Sequence, residues 1–177
     1  VLNTFRAACD RLDEYPALHF SATSLQFYAW VFQHDRVLFN RIRRFIRAGR
    51  WEVTGGWWVE GDTNLPSTSS LLMQAELAQE FARSRLGVTV DIAYMPDTFG
   101  HSAPLPSILR KTGFSSFVFC RPSRREKADL PGDLFWWQHG RDRVLAYRPK
   151  YFYGNPAECT HEQTLNKLND PEFAPGK

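Results

Sequence analysis

At 177 residues the chain is long enough for one domain with a sizeable buried core. Hydrophobic residues make up 43% and charged residues 23%, which excludes a disordered chain, and aromatics are abundant at 15%. A net charge of +3, from 22 basic and 19 acidic residues, is too small and too scattered to mark a nucleic-acid binder. No apolar run approaches the roughly 20 residues that would cross a bilayer, so no membrane partner is expected.

The chain opens on an amphipathic helix, Val1 to Leu12, punctuated by Pro16. It has neither the basic start nor the long apolar centre of a secretory signal. It also begins inside a helix and without Met, which suggests a piece of something longer. Leu18 to Ala22 is a short extended run. Phe27 to Phe39 and Val37 to Ala48 carry apolar residues at helical spacing and predict one or two helices, ended by Gly49. The basic run Arg41 to Arg47 belongs there, and with Ile42, Phe45 and Ile46 apolar it reads as a solvated helix face. Trp51 to Val59 reads as a strand interrupted by Gly55 and Gly56.

Ser67 is the expected N-cap of the next helix, whose apolar stripe runs from Leu71 to Ala82, with Gly87 as its stop. Val88 to Met95 predicts a strand, Pro104 to Thr112 a helix closed by Gly113, and Ser116 to Cys120 another strand. Leu134 to Gln138 and Arg143 to Tyr147 predict two strands joined by a turn at His139 to Asp142. From Tyr151 the composition turns polar and proline-rich, with a helix expected at Glu162 to Leu168.

Strands alternating with helices predict βα units and a largely parallel sheet. Such sheets place ligands beyond the carboxyl ends of their strands. Asp97, two residues past a predicted strand and before a helix, occupies that position. It fits a catalytic carboxylate and a helix cap equally well. Cys9, Cys120 and Cys159 are odd in number and include no CxxC pair, which suggests neither a disulfide framework nor a thiolate zinc site. A reducing compartment, and so a cytoplasmic location, is the expectation.

Two stretches carry more. Gly49 to Gln74 (GRWEVTGGWWVEGDTNLPSTSSLLMQ) and Tyr94 to Arg121 (YMPDTFGHSAPLPSILRKTGFSSFVFCR) together resemble the catalytic domain of glycoside hydrolase family 38, the zinc-dependent α-mannosidases. The resemblance extends over nearly all of residues 1–149, and the tail after Tyr151 adds little to it; the catalytic α/β domain is expected over residues 1–150, with residues 151–177 a polar, proline-containing continuation of the same domain. It implies an α/β fold, part of a distorted (β/α)7-type barrel. It implies a retaining glycosidase that releases terminal α-D-mannosyl residues through a covalent glycosyl-enzyme intermediate, using one carboxylate as nucleophile and another as acid/base. Asp97 matches the nucleophile, which in the family also touches the zinc. Only its charged form can do either job. Phe99 matches an aromatic that packs on the sugar, whose C–H face an apolar ring complements; ordinary core packing is the plainer alternative. Arg121 matches an active-site arginine, against a surface ion pair. Asp62 and Asn64 match a polar segment that orients the site or a sugar hydroxyl, against a simple Asx turn. His101 matches no metal ligand of the family and is expected to cap the following helix. Trp57, Trp58, Trp136 and Trp137 are expected mostly in the core rather than in a sugar platform.

The resemblance also implies zinc held by a His-x-Asp pair, the nucleophile and a later histidine. None of His19, His34, His101, His139 and His161 lies in a His-x-Asp arrangement. The pair is expected just before Val1, and the last histidine and the general acid beyond Lys177. The 177-residue piece alone is then expected neither to bind zinc tightly nor to hydrolyse a glycoside. The expected partner is an α-mannoside or mannose-containing oligosaccharide, and a homo-oligomer is compatible with the sequence. Two other readings stand beside this one: a non-catalytic carbohydrate-binding domain, and a related barrel hydrolase or deacetylase. The latter would want an Asp-His-His metal set. Nucleic-acid binding by Arg121 to Lys127 is remote, because no binding motif accompanies it.

Overall fold

The computed structural model of the protein describes residues 1–123 and 125–149. The expected helix at Glu162 to Leu168, Cys159, His161, Arg124 and the polar continuation at 151–177 lie outside the described residues. Within the described residues, helices and strands follow one another as α1 (Leu2–Glu14), β1 (Phe20–Ala22), α2 (Leu25–His34), α3 (Arg36–Arg47), β2 (Trp51–Val53), α4 (Thr68–Phe81), β3 (Ile92–Met95), α5 (Leu105–Lys111), β4 (Ser116–Phe119), β5 (Leu134–His139) and β6 (Asp142–Tyr147). β1 pairs with β2, and a second sheet runs β3-β4-β6-β5. A parallel bridge between Gly55 and Ala93 joins the two. These pairings are parallel except in the β5–β6 hairpin, whose turn falls at Gly140 (φ +59°) as the sequence predicts. The parallel α/β layering is therefore the predicted one. Among the described residues β1 and β5 stand at open edges, so closure into a barrel is not part of the structure.

The helices form where apolar spacing meets good caps. Asp35 accepts the Leu38 amide at 2.9 Å to start α3, and Ser67 accepts the Ser70 amide at 3.2 Å to start α4. A five-residue π-helical turn, Ala82–Leu86, extends α4 to Gly87, which ends it in the left-handed region. α3 buries Leu38, Phe39, Ile42 and Phe45. Its basic face is not simply solvated. Arg41 bonds Asp10 at 2.7 Å and Asp13 at 2.8 Å on α1, and Arg44 also pairs with Asp13. These pairs hold the Asp13 carboxyl below its ordinary range, chiefly through the Arg41 hydrogen bond. Between these helices and β2 lies an aromatic cluster of Phe5, Phe20, Tyr28 and Trp51. Its polar atoms are satisfied in series, Trp51 Nε1 donating to Tyr28 Oη at 2.9 Å and Tyr28 Oη to the Ala22 carbonyl at 3.0 Å.

The expected run Leu18 to Ala22 and strand Ser116 to Cys120 shorten by one or two residues, and two other expected strands shorten by more. β2 stops at Val53 because its partner β1 ends at Ala22, whose carbonyl takes the Thr54 amide at 3.0 Å, and beyond that the only further bridge among the described residues is the one at Gly55. β3 begins at Ile92 rather than Val88 because its partner β4 begins at Ser116, in register with Ile92. The chain leaves β2 through Gly55 (φ +86°) and Gly56 (φ +63°). A Cβ on Gly56 would sit 2.3 Å from Phe114 Cε1, and Phe114 is fully buried against Trp57. Gly56→Ala is therefore expected to cost about 3 kcal/mol, combining a clash in a packed core with a strained φ. A denaturant midpoint equal to wild type would show that this turn is built differently.

Candidate active site

Register explains the site. Met95 of β3 pairs with Phe119 of β4, so Asp97 and Arg121, each two residues farther on, emerge side by side at the carboxyl ends of adjacent parallel strands. Arg121 Nε donates to Asp97 Oδ1 at 2.7 Å. The same guanidinium lies 4.7 Å above the centroid of the Phe99 ring and 3.3 Å from Glu126 Oε1. Glu126 is held below the ordinary carboxylate range, first by the Ser123 amide and also by Arg121. Arg148, itself buried, donates to the Lys127 carbonyl at 2.7 Å and the Pro122 carbonyl at 3.5 Å, which holds the segment after Arg121 in place.

The loop after β2 grips the loop after β3. Thr98 Oγ1 donates to the Gly61 carbonyl at 2.9 Å, Thr63 Oγ1 to the Gly100 carbonyl at 3.3 Å, and the Ser102 amide to Thr63 Oγ1 at 3.2 Å. Thr63 and Thr98 are buried, so these bonds are shielded from water. Glu60 Oε1 accepts the backbone amide of Asp97. Burial pushes the Glu60 carboxyl above its ordinary range; the Asp97 amide opposes this and the Asp97 charge adds to it.

The structure thus brings three of the sequence-predicted residues together. The Phe99 ring is 75% exposed, so ordinary core packing is not its role. Asp62 is half-buried and its Oδ1 accepts the amides of Asn64 at 2.6 Å and Leu65 at 2.9 Å, the Asx turn that was its plainer alternative. His101 does not cap α5, whose N-cap is Pro104 without a side-chain bond. Instead its ring packs edge-on to Phe117 and Phe119, at centroid distances of 5.0 and 5.3 Å. Its Nε2 lies 2.8 Å from the Arg121 carbonyl, which can only accept, so Nε2 carries the proton. Burial drives the His101 pKa down to about 4. Trp57 is core, Trp58 is half-buried with Nε1 bonding Gln26 at 2.7 Å, Trp137 is half-buried near His101, and Trp136 is exposed with Arg143 over it; the four form no common platform. An apolar cavity of about 510 Å³ opens beside the site, lined by Phe119, Leu130, Phe135 and Trp137 together with Asn64 and His101.

Sequence reasoning missed Glu60 and Arg148. The signal for Glu60 was a carboxylate two residues before Asp62 in the loop that follows a strand, the same topological position as Asp97. Nothing local marks Arg148, whose partners Pro122, Lys127 and Asp133 all lie well away along the chain.

At its strand ends the parallel α/β sheet presents a carboxylate, a guanidinium and an exposed aromatic ring, groups chemically able to receive the hydroxyls and the apolar face of a sugar. Relatives make the assignment specific. The model of the glycosyl hydrolases family 38 N-terminal domain matches residues 1–171, and the chain belongs to that family. It is 32% identical to alpha-mannosidase G of Dictyostelium discoideum over 164 residues, covering 92% of this chain and 15% of that protein. It is 33% identical to human alpha-mannosidase 2C1 over 144 residues, covering 80% of this chain and 14% of that one. The chain thus spans about a seventh of the length of these curated relatives. Among solved structures, an alpha-mannosidase from Enterococcus faecalis V583 superposes with a TM-score of 0.76 at 17% identity, over 93% of this chain and 19% of that chain. A 4-alpha-glucanotransferase from Thermococcus litoralis superposes at 0.70 and 17% identity, over 81% and 23%. At that identity both speak for the fold alone.

The family's members are generally metal-dependent, but the described residues do not by themselves fit a zinc ion. No cluster of three or more His, Cys, Asp or Glu side chains that could hold a metal occurs among them. Catalytic zinc takes about three protein ligands, and here Asp97 alone is a candidate, with one oxygen on Arg121. No helix among the described residues is long and apolar enough to cross a membrane.

Proposed function

We propose that this chain carries the nucleophile of a retaining α-mannosidase acting on mannose-containing glycans. One observation carries the reading: in a family 38 chain, Asp97 stands on Arg121 beside the exposed ring of Phe99, at the carboxyl ends of neighbouring parallel strands. The Asp97 carboxylate attacks C1 of a terminal α-mannosyl residue. The C1–O bond to the aglycone breaks, and the departing oxygen takes a proton from a second carboxyl group acting as general acid. Water then hydrolyses the mannosyl ester, and two inversions at C1 give net retention. Phe99 receives the apolar face of the sugar. Arg121 holds the Asp97 carboxylate in one orientation between turnovers and offers donors to a ring hydroxyl.

Zinc dependence belongs to the proposal, and no step above depends on it. Closure of the sheet into a (β/α)7-type barrel, with strands added at the open β1 and β5 edges, belongs to it as well. So does a reducing, cytoplasmic setting, consistent with the buried thiol of Cys9, whose pKa burial pushes up to about 11. The test is to incubate the full-length protein with a 2-deoxy-2-fluoro- or 5-fluoro-mannosyl fluoride and map the adduct by peptide mass spectrometry. An ester on Asp97 is expected; an adduct on another carboxylate would overturn the assignment.

A further inference from the structure

Asp97 is held by its backbone as well as by its carboxylate. β3 ends at Met95, so the Asp97 amide lies beyond the sheet ladder that would otherwise have bonded it. Glu60, thirty-seven residues earlier on the loop after β2, accepts that amide through Oε1, and the amide of Thr98 also bonds it. On the other side Arg121, from the end of β4, grips Oδ1. The nucleophile is therefore held by its backbone from one neighbouring strand and by its side chain from the other. Two carboxylates stand close, yet each faces a hydrogen-bond donor: Glu60 the peptide N–H, Asp97 the guanidinium.

Resting on the reading of Asp97 as nucleophile, we propose that Glu60 is a positioning residue. By accepting the Asp97 amide it sets the direction of the Asp97 Cα–Cβ bond, and so the approach of the carboxylate to C1. The Thr98–Gly61 and Thr63–Gly100 bonds keep the two loops at the spacing this contact needs. A hydrogen bond from a peptide N–H requires an acceptor at Glu60, not a proton donor. That separates this role from the acid that protonates the leaving group, and a glutamine in its place supplies the same acceptor oxygen.

The experiment compares Glu60→Leu, Glu60→Gln and Asp97→Ala in the full-length protein with an aryl α-mannoside. Glu60→Leu keeps the volume and removes the acceptor; it is expected to lower kcat by roughly 10²-fold with KM little changed, the size of loss that a small misplacement of a reacting group brings. Glu60→Gln is expected to restore most of that loss, and in NMR spectra its Asp97 amide proton should stay downfield where that of Glu60→Leu moves upfield. Wild-type turnover in Glu60→Leu overturns the positioning role. So does a Glu60→Gln variant as impaired as Glu60→Leu, or azide rescue of Glu60→Leu, since either would assign the carboxyl a charge or proton-transfer role. Should Glu60→Leu fail to fold, Glu60→Gln decides alone: retained turnover supports the positioning role, and loss of turnover sinks it. Wild-type turnover in Asp97→Ala would remove the nucleophile assignment itself; an inactive Asp97→Ala beside a fully active Glu60→Leu removes only the role of Glu60.

Discussion

Asp97→Ala is expected to reduce α-mannoside turnover by the full-length protein roughly 10⁴-fold, the scale of loss when an essential active-site group is deleted. No other described group can take over: Glu60 is turned to the Asp97 amide, Asp62 closes its own turn, and Glu126 lies on the far side of Arg121. Stability should barely move. The Asp97 and Arg121 side chains are 47% and 26% exposed, and an ion pair that wet contributes under about 1 kcal/mol. The loss therefore falls on kcat, with a melting temperature close to wild type. Measured together, activity and unfolding separate a nucleophile from a structural carboxylate. A variant that turns over normally would move this domain to the carbohydrate-binding reading, where Asp97 only touches sugar and catalysis lies elsewhere in the full-length protein.

The second large effect is on stability rather than rate. His101 is neutral in the fold, with its pKa pushed from 6.5 down to about 4 by burial among Phe117, Phe119 and Trp137, partly opposed by its bond to the Arg121 carbonyl and by the charge of Asp62. In the unfolded chain it titrates near its ordinary value. Between those two pH values the unfolded state binds the proton and the native state does not, so stability rises with pH across the window. Stability is full above about pH 6.5 and falls as pH drops towards 4, by about 3 kcal/mol in all. Below that both forms are protonated and the loss is complete. His101→Phe keeps an aromatic ring in the box and cannot titrate, so the drop in unfolding free energy between about pH 7 and about pH 4.5 should shrink by most of that amount. An unchanged pH slope would mean that the ring is not buried as described. Because Nε2 anchors the Arg121 carbonyl, the same variant should also loosen the Asp97–Arg121 pair.

Local rules settled much of the architecture before any contact was known. Ser67, Gly87 and Gly140 act within a few residues of themselves, through a cap, a left-handed stop and a hairpin turn, so the helix α4 and the β5–β6 hairpin were legible in the sequence. Apolar spacing marked the buried faces of α1 and α3 for the same reason. Strand ends were less legible, since β2 and β3 are as long as their partners allow, and a partner is not written in the strand itself. The basic face of α3 looked solvated because Asp10 and Asp13, which pair with it, lie some thirty residues away.

For the proposed site, the sequence by itself marked the candidate residues: an acid just past a strand and before a helix, in a motif that resembles family 38, with Phe99 and Arg121 at matching positions. Tertiary structure decided which groups act on that acid. Parallel register set Arg121 against Asp97, the Gly55–Gly56 turn carried Glu60 to the Asp97 amide, and burial turned His101 from an expected cap into a neutral anchor. The difference is one of range. Caps, turns and periodicity are fixed by neighbours along the chain, whereas hydrogen bonds between loops, burial and the proton affinities that follow exist only once distant strands lie side by side.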